Sequence, residues 1–210
     1  MNRLILLSCF AIVTSSAAEL VVQDVRLGLT TRPGDVDFTL QTSTVDREGS
    51  DAFDGGLSLE GGLRWSFAGT GDSFGVVLGA DLAADGQTYD GGDGLVTGWA
   101  KASAGVGWAV NDQLTVLGEG LVGFGVSSLT LPATAASEEF TADGTAVAYE
   151  FRLTGTWQFT RGFNAGLIAG WLIAEHDLSG DDSDMTLEQS GWYAGLVLGW
   201  RIDDVPQTLE

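Results

Sequence analysis

Residues 147–159 read Val-Ala-Tyr-Glu-Phe-Arg-Leu-Thr-Gly-Thr-Trp-Gln-Phe. Val147, Tyr149, Phe151, Leu153, Trp157 and Phe159 are apolar, with Gly155 in the same series. Between them stand Ala148, Glu150, Arg152, Thr154, Thr156 and Gln158, which are small, polar or charged. Successive side chains of an extended strand point to opposite faces, so this period of two describes a strand with one apolar face. The run is more than twice the usual strand length of about 5–6 residues. It also exceeds the roughly 9–11 residues that a tilted strand needs to cross a bilayer.

The pattern recurs outward from this stretch. Leu57 to Phe67, Ala100 to Trp108, Val116 to Val126 and Trp192 to Trp200 alternate in the same way. Val76 to Leu82, Ala165 to Ile173, and Val25, Leu27 and Leu29 repeat it less cleanly. Eight strands are predicted, over 22–42, 56–68, 73–85, 95–109, 113–127, 146–160, 164–177 and 188–202. Arg32-Pro33-Gly34-Asp35 interrupts the first. A bulge in one strand and a turn between two strands both fit, and one strand is preferred because an even count puts both chain ends on one side. The connections at 68–73, 110–113 and 160–163 are short and rich in Gly, Asn and Asp. Those near 43–56, 85–94, 128–145 and 177–188 are longer and acidic. The predicted fold is therefore all-β: an eight-stranded antiparallel transmembrane β-barrel, up-and-down, with short periplasmic turns and longer acidic extracellular loops.

Composition narrows the alternatives. The 210 residues carry 9 Lys plus Arg against 29 Asp plus Glu, a net charge of −20, and only 18% are charged. Seven Trp and ten Phe exclude a disordered chain. So acidic a surface, with no basic stripe, excludes nucleic acid as a partner. No segment is a continuous apolar run of 18 residues, so no membrane-spanning helix is expected. Residues 1–18 read as a cleaved signal peptide: Arg3, an apolar Leu4 to Val13, then Ser16, Ala17 and Ala18. Cleavage after Ala18 removes Arg3 and Cys9, leaving 8 basic residues against 29 acidic ones, a net charge of −21, and no cysteine. Cys9 as a lipid-attachment site is the weaker reading, because too short an apolar stretch precedes it. The chain then divides into 1–18, a barrel at 19–202 and a short polar tail at 203–210.

A soluble barrel would turn its apolar row inward and show water many Lys, Glu and Asp. Here the second face is mostly Gly, Ser, Thr and Ala with sparse charge, which suits a narrow lumen. Phe67, Trp108, Trp157, Phe159 and Trp200 lie on the apolar face near the short-turn ends, and Trp171 and Trp192 toward the other end. Two such levels are expected to form the aromatic girdles of a membrane barrel.

In this architecture the chain resembles the small eight-stranded outer-membrane proteins, the OmpA-transmembrane-domain and OmpX-like group, from about Val22 to Ile202. The resemblance implies a bacterial outer-membrane location, with outer-membrane lipids as surroundings. It rests on architecture and on no diagnostic motif. Members of that group commonly finish on a terminal aromatic read by the assembly machinery, whereas this chain continues past Trp200 to Glu210.

On the inward face alternation places Arg26, Glu60, Arg64, Asp81, Lys101, Glu119, Glu150, Arg152 and Arg201. Unpaired charges in so narrow a lumen cost several kcal/mol each, so an ion-pair plug is preferred over an ion pathway. His176, the only histidine, is expected at the rim beside the acidic loops, with Ser179 turned to the opposite strand face. Acids such as Asp46, Glu48, Asp51, Asp85, Asp143, Asp177 and Asp184 are expected in loops, as weak divalent-cation ligands at most. No catalytic group, metal site or cofactor motif is assigned, and no protein partner is named. The expected role is non-enzymatic, structural or surface-exposed. The alternatives are a lipid A-modifying enzyme working through His176, a narrow ion-conducting pore and a soluble periplasmic barrel.

Overall fold

The computed structural model describes residues 20–42, 46–68, 74–88, 94–131, 140–160, 162–180 and 183–202. The expected signal peptide and the C-terminal tail lie outside the described residues, as do six further acids of the expected acidic loops: Asp90, Asp93, Glu138, Glu139, Asp181 and Asp182. The chain forms β1 (Leu20–Thr31), β2 (Asp35–Thr42), β3 (Asp46–Ala52), β4 (Gly55–Ala68), β5 (Phe74–Thr88), β6 (Gly94–Ala109), β7 (Leu114–Leu131), β8 (Phe140–Thr160), β9 (Phe163–Ser179) and β10 (Ser183–Arg201). From β4 to β10 each strand pairs antiparallel with the next. Leu29 of β1 then faces Leu59 of β4 on one edge and Leu196 of β10 on the other, closing a ring of eight.

The ring is staggered. Thr30, Ser58, Asp85, Thr97, Ser127, Gly144, Leu178 and Met185 form one continuous row of partners. Thr30's other partner is Gly195, ten residues along β10 from Met185. A closed sheet needs such an offset, and it tilts the strands against the barrel axis.

Several of the expected connections are corrected. Residues 22–42 are two strands, β1 and β2, which run one after the other along the same edge of β10, with Val36 facing Gln189. Arg32-Pro33-Gly34 breaks the ladder between them, because proline donates no hydrogen bond. Inside the barrel, the side-chain amides of Gln87 and Gln189 both donate to the Pro33 carbonyl. Opposite stands Gly191, at φ 155°, where an added Cβ would come within 2.8 Å of Pro33. The expected loop at 43–56 contains β3, which makes a hairpin with β2. The other expected long loops are partly strand as well: β5, β7 and β9 end at Thr88, Leu131 and Ser179, and β8 and β10 begin at Phe140 and Ser183, each beyond the predicted bound. The short turn at 110–113 is as expected. There the Asn111 side chain accepts hydrogen bonds from the Gln113 and Leu114 amides at 2.9 and 2.8 Å.

The two faces of the wall follow the predicted parity. Leu27, Leu63, Leu82, Val106, Leu153, Leu167, Leu196 and Leu198 are exposed on the outside. The inward residues between them are buried. From Val25 on β1 round to Trp200 on β10, the middle of the outer wall bears no charge. The lumen is less uniformly small and polar than predicted. Its loop-side end is an apolar cap of Val36, Phe53, Leu95, Leu129, Ala142, Leu178, Met185 and Leu187. Strands that outrun the membrane band need a core of their own, and this cap is that core.

The outer wall yields one expectation. Leu153→Arg or Leu196→Arg, mid-height on the outside, should cost about 2–4 kcal/mol of stability in lipid vesicles, read by reversible urea unfolding. Unchanged stability in both variants would contradict the assignment of faces.

Candidate functional site

The lumen below the cap is a web of ion pairs. Arg64 on β4 meets Asp81 of β5 fork to fork, Nη1 to Oδ1 at 2.7 Å and Nη2 to Oδ2 at 2.8 Å. Its Nε lies 2.6 Å from Glu119 Oε1, which also accepts from Ser103 Oγ at 2.9 Å. Arg152 on β8 holds Glu60 of β4 across the barrel, at 2.7 and 2.8 Å, and Glu150 at 3.2 Å. Lys101 Nζ pairs with Glu150. The Tyr193 hydroxyl donates to Glu150 at 2.9 Å and accepts from Arg152 Nε at 3.3 Å. Arg152 and Asp81, 4.0 Å apart, join the two halves.

Glycines make room for these long side chains. A Cβ on Gly62 would lie 1.7 Å from Asp81 Oδ1, and one on Gly79 would lie 2.7 Å from Arg64 Nη1. The web therefore depends on residues that carry no charge.

The structure brings Glu60, Arg64, Asp81, Lys101, Glu119, Glu150 and Arg152 into this one web. Arg201 stands toward the short-turn end, and both it and Arg26, which borders the web, lie 3.8 Å from Asp24. A second tier was missed from sequence. Arg32 reaches inward from the β1–β2 break to Asp85, with Nε 2.8 Å from Oδ2, and donates to Ser58 Oγ at 2.8 Å. Its guanidinium lies over the Tyr193 ring, 5.4 Å from the centroid. Trp99 Nε1 donates to Asp85 Oδ2 at 2.8 Å. Asp85 is thus no loop acid: it is buried in the barrel. Parity carried the signal, since Asp85 lies four residues beyond Asp81 and Trp99 two before Lys101, each pair on one strand face. Arg32 was obscured by the neighbouring proline, which reads as a turn.

Asp24, Glu60, Asp81, Asp85, Glu119 and Glu150 balance Arg26, Arg32, Arg64, Lys101, Arg152 and Arg201 one for one. Among the described side chains the lumen thus carries no net charge and offers ions of either sign no net attraction. Within the web lies a cavity of about 10 Å³ lined by Arg26, Glu60, Arg64, Asp81, Arg152 and Thr154, room for one water.

His176 is not at the rim. It points into the barrel, 1% exposed, between the web and the cap. Its Nδ1 lies 2.8 Å from Ser127 Oγ, which is 2.9 Å from Thr97 Oγ1. Ser179 faces outward, as its spacing requires. A Ser–His contact therefore exists, with a serine that sequence spacing alone did not suggest. Both residues are buried, and no carboxylate hydrogen-bonds the ring.

On the outside, Phe67, Trp108, Trp157, Phe159 and Trp200 sit toward the short-turn ends of their strands. Phe74 stacks on Trp108 with centroids 5.7 Å apart. Trp171 and Trp192 are directly opposed on β9 and β10, edge to face at 5.2 Å. Beyond them the outer wall becomes acidic. Glu175, Glu188 and Asp37 follow one another across β9, β10 and β2. Among the described residues, no group of three or more His, Cys, Asp or Glu is arranged to hold a metal ion.

No family model and no curated protein matches the chain, but solved structures do. The outer membrane protein OprG from Pseudomonas aeruginosa is 9% identical, with a TM-score of 0.50, over 89% of this chain and 98% of that one. Ail, the attachment invasion locus protein of Yersinia pestis, is 14% identical over 84% of this chain and 98% of its own, with a TM-score of 0.35. Neisserial surface protein A is 8% identical over 81% and 96%, with a TM-score of 0.40. Only the first likeness is strong enough to argue from, and at that identity it concerns fold alone. The fold is that of the small bacterial outer-membrane β-barrels.

The web has a thermodynamic signature. Arg152→Met strands Glu60 and should cost about 3–5 kcal/mol in urea unfolding from vesicles. Arg152→Met combined with Glu60→Gln should recover part of that loss, since the orphaned charge is the costly state. Strict additivity of the two substitutions would refute the pairing.

Proposed function

We propose that the chain is a non-enzymatic outer-membrane barrel, structural or surface-exposed, whose lumen is closed. One observation carries the reading: among the described residues, charge-balanced ion pairs fill the lumen, an apolar cluster lies across its loop-side end, and the cavity inside the web is water-sized. An eight-stranded barrel has an interior just wide enough for side chains to fill. The uncharged outer belt between the two aromatic levels supports a bilayer around the barrel. A backbone whose hydrogen bonds all close within the ring is the kind that hydrocarbon tolerates.

The partners of this reading are outer-membrane lipids and weakly held divalent cations. Such cations would only screen the acidic outer wall, where Glu175, Glu188 and Asp37 stand side by side and repel one another without forming a coordination site. Every basic side chain that the structure describes is inside the barrel. Among the described side chains, the charges that face outward are therefore acidic.

The enzyme reading would run through His176 and Ser127. Their burial under the cap leaves a lipid no approach to the serine, which speaks against it. Two measurements test the proposal. In planar bilayers at neutral pH, pure protein should show no steady conductance; reproducible nanosiemens channels would promote the pore. Lipid A from cells carrying the wild type, His176→Ala or no protein should give the same mass spectrum. Loss of an acyl chain that depends on His176 and Ser127 would make the chain an enzyme.

A further inference from the structure

His176 lies five residues beyond Trp171 on β9, above the upper aromatic level, and its strand neighbours Glu175 and Asp177 face outward. Inward, it completes a polar layer one side chain thick. Thr97, Ser127 and His176 form a hydrogen-bonded row. The imidazole stands edge-on to Trp99 at 5.8 Å, and Trp99 holds Asp85 and through it Arg32. Two residues farther along β9 and β7 come Leu178 and Leu129 of the apolar cap. The layer thus joins the ion-pair web to the cap.

One atom in it is unsatisfied. His176 Nε2 is buried and has no hydrogen-bond partner. In the neutral ring this is tolerable: with Nδ1–H donating to Ser127, Nε2 presents only a bare lone pair. The imidazolium carries hydrogen on both nitrogens. Nε2–H would then be a charged donor with no acceptor, a far costlier orphan. The titratable and charged groups that face the ring are few. From β5 comes Asp85, already engaged by Arg32 and Trp99. From the β1–β2 break comes Arg32. The neighbouring inward positions are Trp99 on β6, Ser127 on β7, Ala146 on β8 and Leu187 on β10, none of them charged.

We infer that His176 is an acid-operated latch: protonating it releases the polar layer from the cap and opens the loop-side half of the lumen. The inference rests on the closed-lumen reading at neutral pH. Burial holds the imidazole down at about 4, which fits a latch that stays shut in neutral medium. The sign follows from this depression. The neutral ring's contribution is fully present above the ordinary imidazole value of about 6.5 and is lost as pH falls toward 4.

The only histidine in the chain gives one imidazole signal in NMR, so its titration in the folded barrel is read without assignment. The expected result is no change through pH 6–7, then protonation near pH 4, together with a change in the near-ultraviolet tryptophan signal that Trp99→Phe removes, and a conductance absent at pH 7. His176→Gln stays neutral at every pH and should remain closed at least one pH unit lower. Titration near 6.5, or protonation without conductance down to pH 3, would overturn the latch. So would equal opening pH in wild type and His176→Gln, which would assign the step to carboxylates. The wild-type titration decides even where the variant does not fold. Channels already present at pH 7 would refute the closed lumen itself, a separate failure.

Discussion

The ladder between β1 and β10 is the constraint on which the rest of this molecule depends. A strand pair can slip, but a ring cannot, because each strand is fixed on both edges. Closure with a ten-residue stagger sets the tilt and the bore, and the bore sets what the lumen holds. It also leaves the eight-stranded ring without a free backbone edge, the condition for lying in hydrocarbon, while β3 rises beyond the ring on the edge of β2.

The bore then forces the charges together. Twelve ionic side chains from seven strands and the β1–β2 break crowd into so narrow a ring, most of them out of reach of water, so each sits beside an opposite charge. The arrangement is costly in a way that an apolar core would not be, since desolvation opposes every pair. What it gives is definition: Arg64 and Arg152 each meet carboxylates from other strands in forked geometry, which suits only one register. The glycines at 28, 62 and 79 belong to the same device, because a methyl group there would collide with Glu60, Asp81 or Arg64.

Most of the fold was legible in sequence because a period of two is a direct physical consequence of the extended backbone. Leu153, Trp157, Leu196 and their row are outside, and Glu150 and Arg152 are inside, as alternation requires. The lumenal web was legible for the same reason as far as membership goes, but not in its pairing. Which acid meets Arg152 depends on the ring's stagger, which no local stretch encodes. The misreadings have a common origin. Asp85, His176 and the β3 hairpin lie where the strands rise past the aromatic level. There the outer face becomes polar while the inner face becomes apolar, so acidic, alternating segments read as loops. Pro33 hid Arg32, because a proline inside a strand and a proline in a turn look alike until the neighbouring strand is known.

The central claim is that the apolar face is turned outward and the charged face inward. Cross-relaxation in NMR from lipid acyl-chain protons to protein methyl groups, in bicelles, tests it most directly. The account predicts transfer to Leu63, Leu153 and Leu196, and none to Val77, Leu117, Ile168 or Val197, which are buried in the lumen. The reverse pattern, or no transfer to either set, would contradict it.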